Sequence, residues 1–233
     1  MIPLNWKQQF LFEQQAERYY RDMRRQTPKD QELFKNLLDE VNSHGYQIQY
    51  YFELNQIDHN DLCLVPVLMK YIGQFDNTGA SSALMRYLAY PAFTEATELM
   101  LSEMRRTGLP KEGNQSESLY RQSASVALYG IRDPRYVDEY INLILDPETH
   151  DDCYFIILLL GKVKAEKAVP LLIELLNDPK SLIQSASLEA MWYFKNHQEL
   201  IPYIEPFLQN DNKDLRRYAA KTIKKLTPKP PKE

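Results

Sequence analysis

Glycine and valine are scarce in this chain. Of 233 residues, only 7 are glycine and 7 are valine, whereas 31 are leucine. Glycine supplies turns with positive φ, and β-branched residues favour strands, so their scarcity argues against β-sandwiches, β-barrels and glycine-rich nucleotide-binding folds. Leucine is a good helix former. The composition therefore predicts an all-α protein.

Long apolar runs are also missing. The longest uninterrupted run of aliphatic and aromatic residues, 154–160, is far shorter than the roughly 18 residues of a membrane-spanning helix. The N-terminal residues 1–15 contain no basic segment followed by an apolar stretch, so we expect no signal peptide. Together these features predict a soluble, cytoplasmic protein that does not associate with a membrane.

Cysteine is limited to two residues, Cys63 and Cys153, and both stand among apolar neighbours. A cysteine in such surroundings behaves as a small hydrophobic residue. We therefore expect both to be buried free thiols, as is usual in a reducing compartment.

An excess of positive charge occurs only at the C-terminal end. Residues 213–233 carry a net charge of +6, and the rest of the chain carries −10. Proteins that bind nucleic acid present a basic face, so the acidic body argues against a nucleic-acid partner. We interpret the basic end as a solvated last helix followed by a flexible tail.

The second half of the chain contains an internal repeat. Segments that begin at positions 120, 152, 183 and 215 are separated by 32, 31 and 32 residues. In each segment the fifth and ninth residues are small or apolar, a spacing that indicates one face of a helix. The residues at these places are Ala124 and Leu128, Ile156 and Leu160, Ser187 and Met191, and Ala219 and Ile223.

Each of the first three units continues with a second amphipathic stretch. These stretches begin at Tyr136, Ala168 and Leu200, and turn-forming Asp-Pro pairs follow the first two, at 146–147 and 178–179. One helix pair cannot cover its own apolar faces, whereas stacked pairs can, so the pattern predicts a solenoid. We expect a shared core that contains Ala124, Leu128, Leu160, Leu172, Leu176, Ile204 and Leu208.

The N-terminal half fits the same scheme less regularly. Residues 76–87 and 91–106 match a first and a second helix, and a further pair is predicted from Tyr46 onward. Helices at 4–25 and 29–43 would cap the exposed end of the stack, as terminal units do in repeat proteins. We therefore expect three parts: capping helices over 1–45, a solenoid over 46–226 and a flexible basic, proline-containing tail over 227–233.

The segments RQSASVALYGIRDPRYVDEYINLILDP and LLLGKVKAEKAVPLLIELLNDP resemble bacterial HEAT repeats of the short type that also occurs in phycobilin lyases. The resemblance extends over about 120–226 and implies a right-handed α–α superhelix. It also implies an adaptor, scaffold or inhibitor role, which includes immunity-type proteins. The first-helix arginine of the family matches Arg121 and Arg216, but Cys153 and Gln184 replace it in the middle repeats, where a ladder of Asp–Arg contacts is not expected.

Motifs for catalysis or metal binding are absent from the sequence. It contains no phosphate-binding loop, dinucleotide fingerprint, nucleophile elbow or zinc spacing. His150 stands beside Asp151 and Asp152, but consecutive residues at a helix start point in different directions and do not converge on a metal. One of the two aspartates is better interpreted as a helix N-cap. We expect no catalytic residue, no metal and no cofactor.

The leading hypothesis is a non-enzymatic protein–protein interaction module. In HEAT solenoids the second helices line the concave face, so the resemblance places a binding surface there. If Val137, Val169 and Ile201 point inward, the residues two or five positions later point outward. The predicted partner-binding residues are Glu139, Asn142, Leu171, Glu174 and Tyr203. Tyrosine is enriched in binding hot spots, and the glutamates would favour a partner with a basic surface.

Two alternatives come from other functional classes. One is a HEAT-like DNA-binding protein or alkylpurine DNA glycosylase, which has a similar length but needs a basic concave face. Residues 133–178 contain ten acidic residues and only four Lys or Arg, which argues against this alternative. The other is a phycobilin-lyase-like protein, which the short repeat type suggests and which nothing in the composition supports.

Overall fold

The computed structural model describes residues 26–50, 53–54, 57–58, 61–109, 116–195 and 197–227. Within these ranges it contains eleven α-helices, several short 3-10 helices and no β-strand. The predicted all-α class is confirmed. The predicted capping helix at 4–25 lies outside the described residues.

The helices alternate between long first helices and shorter second helices. The N-terminal pair is α1 (Pro28–Ser43) and α2 (Leu64–Tyr71). The first helices of the repeats are α3 (Thr78–Tyr87), α5 (Glu117–Ile131), α7 (Tyr154–Lys162), α9 (Ser181–Ala190) and α11 (Lys213–Leu226), and the second helices are α4 (Thr97–Met104), α6 (Val137–Leu145), α8 (Val169–Leu175) and α10 (Ile201–Ile204). A three-residue 3-10 turn leads into each of these second helices.

Polar side chains define where several helices begin. Thr27, Asn77, Ser116 and Asn212 each accept a hydrogen bond from a backbone N–H in the first turn of α1, α3, α5 and α11. Such N-caps satisfy donors that have no partner within the helix. At the other end of α1, Gly45 has a φ of 95°, as expected for the glycine that follows a helix.

The helix expected from Tyr46 is not present over the described residues 46–50. Residues 46–50 are irregular, because neighbouring side chains bind their backbone groups. The Asn42 amide both donates to and accepts from the Ile48 backbone, at 2.8 and 2.7 Å, and the Glu53 carboxylate accepts from two backbone N–H groups, those of residues 49 and 50. Local side-chain bonds of this kind compete with helical hydrogen bonds.

The first helices pack side by side through the stack, and each second helix packs against the first helix that follows it. One hydrophobic core extends from Phe34 in α1 to Leu226 in α11. A solenoid with a shared core, as the repeat predicted, is therefore confirmed. The predicted core residues that are buried are Ala124, Leu128, Leu160, Leu172, Leu176 and Ile204.

The prediction that Leu208 is buried is wrong, since its exposed fraction is 37%. The α-helix ends at Ile204, and residues 205–209 continue as a 3-10 helix, which turns by about 120° per residue. Side chains three positions apart are then aligned, so Phe207 follows Ile204 toward the core. Leu208 is rotated away from it.

Cys63 was also expected to be buried, but it is exposed. It lies in a surface turn directly before α2. The first two residues of this helix, Leu64 and Val65, face the core, and the preceding cysteine is left at the surface. Cys153 is buried as predicted, and burial raises the pKa of its thiol to about 12. Both thiols are free.

Two glycines allow adjacent first helices to approach closely. A Cβ on Gly161 would lie 2.4 Å from the carbonyl oxygen of Ala190, and one on Gly130 would lie 2.2 Å from that of Ala89. These distances are shorter than any van der Waals contact, and the opposing atoms belong to the backbone. Spacing between the repeats therefore depends on the absence of a side chain at both positions.

We expect Gly161→Ala to destabilise the folded chain by about 1–3 kcal/mol, because the new methyl group pushes two packed helices apart. Helix propensity alone predicts the opposite sign, a gain of about 0.5–1 kcal/mol. Urea unfolding monitored by circular dichroism would decide between them. Gly79→Ala is a suitable control, since its Cβ would meet only the Asn77 side chain, at 3.0 Å. A variant Gly161→Ala that is as stable as this control would contradict the close packing.

Arg121 is buried and joins consecutive repeats. Its guanidinium donates to the carbonyl oxygen of Arg106 at 3.2 Å and to that of Glu148, forms an ion pair with Glu117, and lies 3.9 Å from Asp152. One arginine thus connects the end of α4 with the turn before α7.

The equivalent residues of other repeats also bind turns. Arg216 donates to the Asn210 carbonyl oxygen at 2.6 Å, and Gln184 donates to the Asp178 carbonyl oxygen at 2.8 Å. In both cases the acceptor lies six residues earlier. The glutamine therefore keeps a turn-binding contact where the family pattern has arginine, although it contributes no charge.

The prediction that Asp151 or Asp152 is a helix N-cap is wrong. Both belong to a 3-10 turn, His150–Asp152, and Cys153 occupies the N-cap position of α7. Asp152 accepts a hydrogen bond from Ser118 at 2.5 Å and faces Arg121. The carboxylate is turned toward α5 by these partners and is unavailable to its own helix.

Candidate functional site

The predicted partner-binding residues lie on the second helices but differ in availability. Asn142 and Glu174 are exposed, and the exposed fraction of Tyr203 is 52%. Glu139 is half-buried and forms an ion pair with Arg105 at 2.6 Å. Its charge is thus already engaged within the chain.

Leu171 was expected to be exposed and is buried, with 9% of its surface exposed. It stands four positions before Leu175 and therefore on the same side of α8. Leu175 is buried, whereas Val169, which was taken as the inward direction, is only partly buried. The inward side of α8 is rotated toward Leu172 and Leu175, and this rotation covers Leu171.

Charged groups on the second-helix side pair across repeats. Besides Arg105–Glu139, Lys167 binds Asp138 at 2.5 Å and His197 binds Glu166 at 2.8 Å. Each of these contacts joins residues roughly thirty positions apart. This side of the stack therefore neutralises much of its own charge.

The first helices present a different surface. Aromatic and basic side chains, most of them half-buried, follow one another across α5, α7, the 3-10 turn Met191–Tyr193 after α9, and α11. We call this surface the aromatic–basic band; its members are Tyr129, Tyr154, Phe155, Lys162, Trp192, Tyr193, Arg217, Tyr218 and Lys221.

Ring contacts make the band continuous from one repeat to the next. The centroids of Tyr129 and Phe155 are 5.8 Å apart, and those of Phe155 and Tyr154 are 5.1 Å apart. Trp192 and Tyr218 stack at 6.0 Å with an interplanar angle of 29°. Tyr154 and Tyr218 line one common depression, which brings the two groups together.

Cations lie over these rings. The Lys221 ammonium is 3.6 Å from the Trp192 ring centroid, and the Lys162 ammonium lies 4.9 Å from Tyr193 and 5.8 Å from Tyr129. A cation over an aromatic face is attracted by the ring quadrupole. The interaction with Tyr193 raises the pKa of Lys162, so this lysine is charged at neutral pH.

Trp192 is held in one orientation. Its indole N–H donates to Thr222 at 2.7 Å, and the buried Thr222 hydroxyl donates to the Leu188 carbonyl oxygen at 2.8 Å. The ring is also enclosed by Tyr218 and Lys221. The largest aromatic group of the band is therefore pre-ordered.

Two adjacent depressions open on the band. One, of about 330 Å³, is lined by Glu189, Trp192, Arg217, Tyr218 and Lys221. The other, of about 240 Å³, reaches from Tyr154 to Asp214 and shares Arg217 and Tyr218 with the first. Together they form a groove across α7, α9 and α11.

Residues 137–224 match the family model of HEAT repeats. This part of the chain is similar to HEAT repeats. No similar protein was found among the curated proteins.

Two solved structures share the fold. One is a designed armadillo repeat protein, with 14% identity and a TM-score of 0.51, covering 86% of this chain and 96% of that chain. The other is an engineered protein solved by the Northeast Structural Genomics Consortium, with 15% identity and a TM-score of 0.50, covering 70% and 78%. At this level of identity the likeness shows a HEAT or armadillo-type solenoid.

The aromatic–basic band was not predicted from the sequence, although a signal existed. Tyr129 and Trp192 stand nine places after the starts of their repeats, and Lys162 and Tyr193 stand ten places after theirs. These positions follow the core residue at the ninth place and close each first helix. Each of these repeats therefore carries an aromatic or basic residue at one or both of two adjacent positions. That regularity would have predicted a row of such side chains along the surface.

His150 joins two consecutive repeats. One ring nitrogen lies 2.7 Å from the Ile144 carbonyl oxygen and the other lies 2.8 Å from an Asp178 carboxylate oxygen. Burial opposes protonation, but these two acceptors outweigh it and raise the pKa of His150. Both ring nitrogens thus have structural partners.

Within the described part of the chain, His, Cys, Asp and Glu side chains form no group of three or more that could hold a metal ion. None of the described helices combines the length and apolarity needed to cross a lipid bilayer.

Proposed function

We propose that this HEAT solenoid is a non-enzymatic scaffold that binds a partner protein through the aromatic–basic band. One observation carries the proposal: tyrosine, tryptophan, lysine and arginine side chains form a continuous surface across four successive repeats. Tyrosine, tryptophan and arginine are the residue types that dominate binding hot spots. No catalytic role is needed to explain any residue of the band.

The band also meets a physical requirement for tight association. Its rings and cations hold each other in place, so little side-chain freedom is lost when a partner binds.

Free Cys63 on the surface and buried free Cys153 fit a reducing compartment, and we place the protein in the cytoplasm.

The surface predicted on the second helices is the alternative location. With Leu171 buried and Glu139 paired to Arg105, it is reduced to Asn142, Glu174 and Tyr203. A basic partner would be expected there, because Glu174 is exposed and has no ion pair with any described residue.

Affinity capture with two matched variants tests both locations. The immobilised chain would be exposed to lysate of its native cell, and captured proteins would be quantified by mass spectrometry. Tyr193→Ala/Arg217→Ala alters the band, and Glu174→Lys/Tyr203→Ala alters the second helices. We expect the band variant to capture its main partner at least tenfold less well, while the second-helix variant retains it.

The opposite pattern would move the site to the second helices. Glu139 is left unchanged in both variants, because its replacement would break an internal ion pair. Circular dichroism of each variant would establish that it is folded. Partner capture that neither variant alters would contradict the proposed location of the site.

A further inference from the structure

We infer that the aromatic–basic band receives an extended acidic segment of the partner, whose carboxylates bind Lys221 in the groove and Lys162 elsewhere on the band. The inference rests on the proposed function and adds the chemistry of the partner. It follows from how the two sides of the stack hold their cations.

On the second-helix side, cations are paired with carboxylates. Arg105 binds Glu139 and Lys167 binds Asp138. Pairs of this kind leave little unsatisfied positive charge.

On the band, Arg217 pairs with Asp214, but the two lysines are held by rings instead. Lys162 and Lys221 lie over aromatic faces, and Arg132, which contacts a band residue, lies 5.9 Å from the Tyr129 ring centroid. Among the described residues, neither lysine nor Arg132 forms an ion pair with a carboxylate. A ring face satisfies a cation only in part, so these groups retain the capacity to bind an anion.

The position of Lys221 suits a carboxylate ligand in particular. Its ammonium is fixed 3.6 Å from the centroid of the pre-ordered Trp192 ring and lines the larger depression. An ammonium that is already immobilised loses little further freedom when it binds an anion. Nearby, α11 carries six Lys or Arg residues and one Asp, which favours approach of an acidic partner.

Acidic side chains within the groove favour a peptide over a nucleic acid. Glu189 lines the larger depression, and Asp214 lies 3.1 Å from Arg217 in an exposed ion pair. A nucleic acid presents a phosphate at every nucleotide and would be repelled at these places. A peptide can place its carboxylates beside the lysines and donate backbone N–H groups to Glu189.

Selection from a random library of twelve-residue peptides tests the inference. The full chain and the variant Lys162→Met/Lys221→Met would each be immobilised and used to select peptides. Methionine keeps much of the apolar stem that covers the rings and removes the charge. We expect peptides selected by the natural chain to be enriched in Asp and Glu, and the strongest peptide to bind the variant at least tenfold more weakly.

Lys167→Met provides the matched control, since Lys167 belongs to the second-helix side. It should bind the strongest peptide within about twofold of the natural chain. Peptides without acidic enrichment, or acidic peptides that bind the double variant equally well, would overturn the inference. So would tighter binding of a twelve-nucleotide oligothymidine than of the strongest peptide.

Failure of the inference differs from failure of the proposed function. Non-acidic peptides that lose affinity for Tyr193→Ala/Arg217→Ala would leave the band as a binding surface and remove only its preference for acids. Peptides that are insensitive to every change in the band would contradict both.

Discussion

Replacement of Arg121 by methionine should destabilise the folded chain by about 3–5 kcal/mol, the usual cost of removing one partner from a buried ion pair. The Arg106 and Glu148 carbonyl oxygens would lose their donor, and Glu117 and Asp152 would face each other without a cation. Urea unfolding at neutral pH, monitored by circular dichroism, measures the change.

Acidic pH should reduce this loss. Burial raises the pKa of Asp152 even with Arg121 in place, so its ionised form opposes folding. As pH falls through that raised pKa, Asp152 is protonated and the penalty disappears. The difference between variant and natural chain should therefore be smaller near pH 4.5 than near pH 7.5. A difference that is independent of pH would indicate lost packing instead of unpaired charge.

Arg216→Met is the matched control, because Arg216 holds the equivalent place in the last repeat. Its partners are the carbonyl oxygens of Asn210 and Asp211, which water can solvate once the arginine is gone. The cost should be about 1 kcal/mol or less. Equal losses for the two arginines would contradict the view that burial makes Arg121 a structural tie.

Leu172→Ala should cost about 2–5 kcal/mol, since the side chain is fully buried and its removal leaves a cavity between repeats. The loss should spread, because each repeat is stabilised by its neighbours. Urea unfolding gives the free energy, and hydrogen exchange should show weakened protection in α7 and α9 as well as in α8.

Leu208→Ala provides the comparison for Leu172. Both leucines occupy core positions of the repeat pattern, but the exposed fraction of Leu208 is 37%. Its truncation should cost less than about 1 kcal/mol, in the range of surface substitutions. A loss as large as that of Leu172→Ala would show that the sequence pattern, and not the structure, locates the core.

The repeat period alone predicted much of the fold. Helices with apolar residues at regular spacing must bury them, and a repeat of about 32 residues allows this only by stacking. The burial of Ala124, Leu128 and Leu160 and the position of α1 followed from the spacing of apolar residues. Local patterns suffice for these features because helix periodicity acts within one or two turns.

The positions of Leu171, Leu208 and Cys63 depended on tertiary structure. Periodicity gives the relative angles between side chains of one helix, but not the direction of the core. A rotation of α8 covered Leu171, and a change to 3-10 geometry after Ile204 exposed Leu208. These shifts arise from how neighbouring repeats pack, which no single repeat encodes.

The aromatic–basic band was likewise decided by the fold. In the sequence, Tyr129, Lys162 and Tyr193 are about thirty residues apart and belong to different helices. Close stacking of the first helices, which Gly130 and Gly161 permit, brings their ends together. The sequence by itself determined a helical stack and most of its core, because both follow from local periodicity. Only the tertiary structure decided which charges find partners within the chain, because that depends on contacts between repeats.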